Sequence, residues 1–378
     1  MAGFLKNIGD IVGSRGLIGR TVRAALFPKD PPYVIHFVTH RCNASCCFCF
    51  DSKERAAADA GAELTPIEVG KSARNWRGLL QVTLTGGEPF LRDDLVEVAD
   101  AWLSGGAMGL TIDTNGSMPD RVGEVARTIL AERPGLNFDL NISIDGPPEV
   151  HDRIRGVPGL YEKAMAAANA LSPLQGHHPG FRLGATLTFS AANQGVAYNT
   201  LEELADSGVF RRIQVVLARG DTKDPAMKDF DISEFSRCSS FLSSVSLVPG
   251  GLGIKETLSG LVRKNAEMEA SGEAGPGECL AGRTMVMVDP YGGVYPCEML
   301  PQTRPEGVSE KDIYDWKMGA LREHDYSVRQ LLASPHARSI KEWIVASGCH
   351  CGFECAAYNN IVFRPAKWPG LAGKILWK

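Results

Sequence analysis

Three cysteines, Cys42, Cys46 and Cys49, stand in a C-x3-C-x2-C spacing within the run from Thr39 to Ser52. Thiolates this close together on one loop converge on a single soft metal centre, either zinc or an iron-sulfur cluster. A structural zinc site is closed by four protein ligands, whereas three leave one position open for a substrate. Cys47 breaks the spacing and reads as a packed neighbour. Five more cysteines gather further on: Cys279 and Cys297 frame a predicted hairpin, and Cys349, Cys351 and Cys355 follow within seven residues. One four-ligand site needs only four of those five, and spacing does not say which is spare. Cys238 stands alone and reads as structural.

The elements that must hold these residues repeat as strand, turn and helix. Strands are predicted at 33–39, 81–85, 110–114, 136–145, 181–189 and 212–218, with 3.6-residue periodicity between them, as in Leu91, Leu95, Val98, Ala99 and Trp102. Six strands alternating with helices give a parallel sheet with right-handed crossovers, and curling that sheet gives an α/β fold, a partial (β/α)6 barrel. Ligands are then expected at the C-terminal ends of the strands. In the run 136–145, Leu136, Phe138, Leu140, Ile142 and Ile144 share one face and the polar residues the other. The polar face needs a wet or ligand-filled interior, to which His36, Thr83, Thr85, Asp113, Thr186, Thr188 and Gln214 are expected to contribute. Strand two ends in Gly86-Gly87-Glu88-Pro89, two glycines that let the backbone come close to a ligand and a carboxylate, fixed by the following proline, able to accept from an ammonium group.

Composition narrows the class. The 378 residues are 44% hydrophobic and 22% charged, enough for one large core and a smaller appended one. No uncharged apolar run of membrane-spanning length and no secretory signal is present, so the expected location is the cytoplasm, where clustered cysteines point to metal and not to disulfides. The net charge of −4 is uneven: residues 1–29 carry +4 and residues 361–378 carry +4, leaving −12 on the middle. With the apolar sets Phe4, Leu5, Ile8, Ile11 and Val12, then Leu17, Ile18, Val22, Leu26 and Phe27, the N-terminal segment reads as a helix pair or as an amphipathic anchor on the inner membrane face. The tail, with Trp368 and Trp377 among lysines, suits an interface or a solvated end.

Four motifs in order, the cysteine triad, Gly86-Gly87-Glu88-Pro89, Thr114-Asn115-Gly116 and Ser143-Ile144-Asp145-Gly146-Pro147, followed by His151 to Gly156, resemble the radical S-adenosylmethionine (SAM) superfamily over about residues 33–220. The resemblance implies that Cys42, Cys46 and Cys49 hold a 4Fe-4S cluster whose fourth iron chelates SAM. It implies Phe48 near the adenine, Gly86, Gly87 and Glu88 at the methionine ammonium, and Ser143 and Arg155 at the carboxylate or ribose, with Arg153 as a substitute for Arg155. Asn115 and Asp145 join the same cofactor site. It further implies an external reductant such as flavodoxin or ferredoxin, and no nucleic acid.

The C-terminal cysteines resemble the auxiliary-cluster extension called SPASM or, in its shorter form, twitch, since Cys279, Gly292 and Cys297 reproduce its opening pattern. That implies a second 4Fe-4S cluster among Cys279, Cys297, Cys349, Cys351 and Cys355, with zinc as the alternative on a hairpin of this kind. The expected organisation is a basic N-terminal segment (1–30), the barrel (31–222), bridging loop and helices (223–272), an auxiliary domain of β-hairpin plus helix (273–360) and a basic aromatic tail (361–378). The expected activity is reductive cleavage of SAM and abstraction of hydrogen from a substrate C–H bond, on a membrane-proximal or lipid-linked molecule or, alternatively, a ribosomal peptide or protein. A non-catalytic zinc adaptor would explain the cysteines but not the glycine motif or the polar lumen.

Overall fold

The computed structural model describes residues 19–27, 29–56, 58–245, 247, 254–273, 278–302 and 315–369. The expected apolar sets of residues 1–18 and the terminus beyond residue 369 lie outside them.

Six parallel strands follow the predicted rhythm: β1 (Tyr33–Thr39), β2 (Gln81–Gly86), β3 (Gly109–Thr114), β4 (Asn137–Ser143), β5 (Phe181–Phe189) and β6 (Arg212–Leu217). The helices that follow them include α1 (Pro66–Asn75), α2 (Leu95–Ser104), α3 (Pro119–Glu132), α4 (Pro148–Arg155), α5 (Leu160–Leu171) and α6 (Ala197–Asp206). Local chemistry sets their starts. Thr65 and Glu68 form a reciprocal capping box on α1 with Pro66 in its first turn, which satisfies amide groups the helix itself cannot.

The strand alternation sorts the two faces. Phe138, Leu140 and Ile142 are fully buried beneath the helices, while Asp139 and Ser143 on the opposite face are half-buried and Asn141 is 5% exposed. Each fully buried Leu, Ile or Phe contributes about 1.5–3 kcal/mol over remaining in water, so this outer face carries the core and leaves the lumen free to be polar. One expectation fails here. His36 shares its face with Val34 and Val38, and Trp102 of α2 donates its indole N–H to His36 Nδ1 at 3.1 Å. Burial drives its pKa down to about 3, so it is a neutral core acceptor outside the lumen.

Among the described residues the sheet has nine strands, β7 (Met285–Val288), β8 (Gly293–Tyr295) and β9 (Gly319–Ala320) extending it past β1 in the order β6-β5-β4-β3-β2-β1-β7-β8-β9. The predicted hairpin, β7 and β8, does not stand apart: β7 pairs in parallel with β1, Tyr33 opposite Met285, and β8 turns back antiparallel to it and is followed by β9. The bridging helices α7 (Ile232–Ser244) and α8 (Ile254–Ala270) precede the hairpin; α9 (Pro335–Ala346) and α10 (Glu354–Val362) follow it. Leu258 and Val262 of α8 pack on Ala357 and Ile361 of α10. Cys238 is fully buried in α7, the structural role expected of it.

Candidate active site at the barrel rim

The cysteine loop leaves the C-terminal end of β1 and is clamped by three segments through its backbone. On one side Gly87 N donates to Thr39 O and Glu88 N to Arg41 O, both at 2.8 Å. On another, Ser45 N donates to Arg155 O at 2.8 Å and Cys47 N to Ile154 O at 3.1 Å, tying the loop to the end of α4. From the segment after β6, Lys223 N reaches Cys49 O at 3.0 Å and Asp224 N reaches Cys47 O at 2.9 Å. Arg55 adds side-chain bonds to the carbonyls of Cys42 and Ala44.

Gly86 and Gly87 are what permit the first clamp. A Cβ at Gly87 would lie 2.1 Å from Arg41 O, and one at Gly86, whose φ is +124°, 2.3 Å from Thr39 O. What these glycines approach in the structure is the chain's own backbone at residues 39–41, where a ligand was the expected neighbour.

Glu88 is 1% exposed, and its carboxylate accepts from Thr114 Oγ1 at 2.7 Å, Asn115 N at 2.8 Å and Phe90 N at 3.2 Å. It thus joins the second motif to the third. Asn115 continues the chain of contacts, donating Nδ2 to Asn43 Oδ1 at 2.9 Å within the cysteine loop. Burial pushes the Glu88 carboxyl up from 4.5 to about 7. A folded-state pKa above the ordinary one means stability that is fully present below pH 4.5 and is lost as pH rises through 7. In urea denaturation of the apo-protein, wild type should lose up to about 3 kcal/mol relative to Glu88→Gln between those pH values. Parallel pH curves for the two proteins would refute this.

Arg155, 8% exposed, donates Nε to Asp145 Oδ2 at 2.5 Å, lies 5.3 Å over the Phe48 ring, and sets Nη1 3.7 Å from Cys46 Sγ. Asp145 is fully buried and accepts from Thr188 N at 2.9 Å. Of the two arginines in the His151–Gly156 segment, Arg155 is the one at the site, since Arg153 is exposed. Ser143 is half-buried on the lumen face at the end of β4. All eight residues expected around the cofactor therefore line the rim or brace the cysteine loop. Sequence reasoning missed the bracing behind them: Glu63, 8% exposed, accepts from Thr39 Oγ1 at 2.5 Å and pairs with Arg41 and Arg92, and His40 pairs with Asp51 at 3.0 Å. These lie between motifs, where no spacing rule marks them.

The distal cysteines separate into four and one. Cys279 and Cys349 are hydrogen-bonded to each other, and Cys351 is close enough to raise the thiol pKa of Cys297. Cys355 instead points at the barrel, with Tyr33 Oη 3.4 Å from its sulfur. Arg219, at the end of β6, reaches across to this region: Nη2 donates to Glu298 at 2.8 Å and Nη1 to Glu354 at 2.5 Å, with the guanidinium 4.7 Å over the Phe353 ring. Glu298 follows Cys297 and Glu354 precedes Cys355, so these two half-enclosed ion pairs fix the distal cysteines against the rim.

The family model described as the radical SAM superfamily matches residues 37–181, the stretch from β1 to β5 that carries every rim residue above. Residues 37–181 of the chain thus match the radical SAM superfamily. Among curated relatives, the pre-heme d1 synthase of Dinoroseobacter shibae is 32% identical over 190 residues, 47% of this chain and 41% of that protein. The PqqA peptide cyclase of Rhizobium meliloti is 38% identical over 154 residues, 38% of each chain. This chain thus spans less than half the length of either. A solved structure titled "Native anSMEcpe with bound AdoMet and Kp18Cys peptide" shares the fold over 92% of this chain and 100% of its own, with a TM-score of 0.55 at 15% identity. The curated relatives that share this domain are enzymes. Radical SAM enzymes use SAM and a 4Fe-4S cluster, and the adaptor reading falls away.

The donor set fits those groups. Cys42, Cys46 and Cys49 lie in one buried cluster with Phe48 and Ile154. Burial pushes the Cys42 thiol up to about 11 and Cys49 upward, while the Arg55 charge acts the other way on both. Thiols facing Arg55 and Arg155, Cys46 buried and Cys42 and Cys49 half-buried, are suited to becoming metal-bound thiolates, whose charge those guanidinium groups offset. Among the described residues no three His, Cys, Asp or Glu side chains are set as a one-ion site. No helix among them is long and apolar enough to cross a membrane.

Proposed function

We propose that the chain reductively cleaves SAM at Cys42, Cys46 and Cys49 and directs the resulting radical at a C–H bond of a substrate in the barrel lumen. A 4Fe-4S cluster held there would supply the one electron for reductive cleavage of the sulfonium, itself drawn from an external reductant. The chain's own residues supply placement. The Gly86-Gly87 clamp sets the height of the cysteine loop, Arg155 and Asp145 hold Phe48 and Cys46 in register, and the helices exclude water from the outer face. The observation that carries the reading is that the motifs on the ends of β1, β2 and β3 meet around Cys42 to Cys49 through direct hydrogen bonds, and the one on the end of β4 joins them through Arg155, which bonds Asp145 and reaches Cys46.

The second site is assigned to Cys279, Cys297, Cys349 and Cys351, with Cys355 as the spare. Four protein thiolates leave no position open for SAM, so this cluster suits electron transfer to or from the substrate and the first cluster. A flavodoxin- or ferredoxin-like donor is the matching external reductant. Peptide is the favoured substrate class, supported by the peptide cyclase relative and the peptide-bound structure of the same fold. A lipid-linked substrate has less behind it: of the basic ends, the described part offers the exposed Leu26 and Phe27 near Arg20 and Arg23.

Reconstituted anaerobically, the wild-type chain should carry about eight irons and release 5′-deoxyadenosine from SAM under dithionite. Cys351→Ser should hold about four irons and Cys355→Ser about eight. SAM left intact by the iron-loaded wild type would sink the activity; iron lost from Cys355→Ser would sink the ligand assignment.

A further inference from the structure

The lumen carries a charge pattern that neither cluster explains. Its lower half holds Asp139, paired with Arg182 at 2.5 Å and with Arg212 at 3.4 Å. Arg212 also donates to Gln214 Oε1 at 2.9 Å. Toward the mouth, Glu298 and Glu354 share Arg219. Between these groups sits Asp113 of β3, half-buried, bonded by Asn141 Nδ2 at 2.8 Å and with no ion pair to a cation among the described residues. It faces the charges of Arg212, Glu298 and Asp139, none of them its partner, and its own charge reaches Tyr33. With Asp113 counted, four carboxylates face three guanidinium groups, so one negative charge is uncompensated.

A second, independent feature points the same way. Asn141, 5% exposed on the lumen face, has a buried Oδ1 with no donor among the described residues. It lies over bare Gly184, where a Cβ would come within 2.2 Å of that oxygen. Buried acceptors are nearly always satisfied, and the unpaired one here adjoins a carboxylate that has a hydrogen bond but no ion pair among the described residues. Tyr33, whose hydroxyl lies 2.9 Å from Thr83 Oγ1 and 3.4 Å from Cys355 Sγ, closes the wall beside them.

We infer that the middle of the lumen binds an alkylammonium group of the substrate, with Asp113 as its counter-ion and Asn141 Oδ1 as a further acceptor. This rests on the lumen being the substrate chamber of the proposed radical enzyme. Burial pushes the Asp113 carboxyl up to about 6, a cost a bound cation would relieve. A neutral isostere would leave Asn141 Oδ1 unpaired and Asp113 without a counter-charge, and be discriminated against.

The test is isothermal titration of the reconstituted, SAM-loaded protein with 6-aminohexanamide and with hexanamide, its uncharged counterpart. The ammonium compound should bind at least about tenfold more tightly, and Asp113→Asn should cut that preference to within about twofold. Equal binding of the two amides to wild type, or an unchanged preference in a normally melting Asp113→Asn, overturns the pocket; were the variant not to fold, the wild-type comparison decides alone. SAM cleavage is measured separately on wild type. Ammonium preference without SAM cleavage would sink the enzymatic reading and leave the pocket standing, and cleavage without preference the reverse.

Discussion

Cys46→Ala protein, reconstituted alongside wild type, should hold about four irons instead of about eight and form 5′-deoxyadenosine at least about a thousandfold more slowly. Cys46 is the most enclosed of the three loop thiols, 7% exposed, and the one that Arg155 addresses directly. Losing its sulfur removes a cluster ligand, but the loop keeps its backbone bonds to α4, β2 and the segment after β6. The cost to folding should therefore be about 1 kcal/mol, the scale of a small core deletion. The four distal cysteines are untouched, so the remaining iron should keep the absorption of a cysteine-ligated cluster. Wild-type rates of SAM cleavage in this variant, measured by chromatography of quenched reactions, would end the proposal that this loop carries the chemistry.

Gly87→Ala should be nearly as damaging without removing any ligand. The added Cβ meets Arg41 O at 2.1 Å and His40 O at 2.8 Å, both backbone atoms that no side-chain rotation can clear. The loop must shift away from β2, breaking the bonds of Gly87 N to Thr39 O and Glu88 N to Arg41 O. Displacing reacting groups by about 1 Å costs roughly a hundredfold in rate, and the overpacking should lower stability by about 1–3 kcal/mol. Gly176→Ala is the matched control: nothing lies within 4 Å of that Cβ position, so iron content, rate and melting should not fall. Equal 5′-deoxyadenosine formation by both variants would show that the clamp does not set the loop.

Much of this was legible in the sequence. Alternation in the run 136–145 identified β4 and its two faces, and the strand-helix rhythm gave the parallel sheet. The rim motifs declared themselves because their spacing is local: each lies on one turn after one strand. Three things were not local, and those were missed or left open. His36 alternates correctly but on the other face, a matter of strand orientation that only Trp102 settles. The spare cysteine could not be chosen because Cys349, Cys351 and Cys355 are close in sequence while their separation in space depends on how α10 starts. The ion networks of Glu63 and Arg219 join residues from distant segments, and single charged side chains carry no pattern.

The parallel contact between β7 and β1 has a consequence for how such a chain could be dissected or have arisen. A shortened form ending before residue 278 would not be a free-standing barrel, because it would bare the backbone donors and acceptors along β1, an invitation to self-association. The C-terminal module is in effect the barrel's selvedge, so gain or loss of the distal cysteines can come cheaply, whereas gain or loss of the ribbon that carries them cannot.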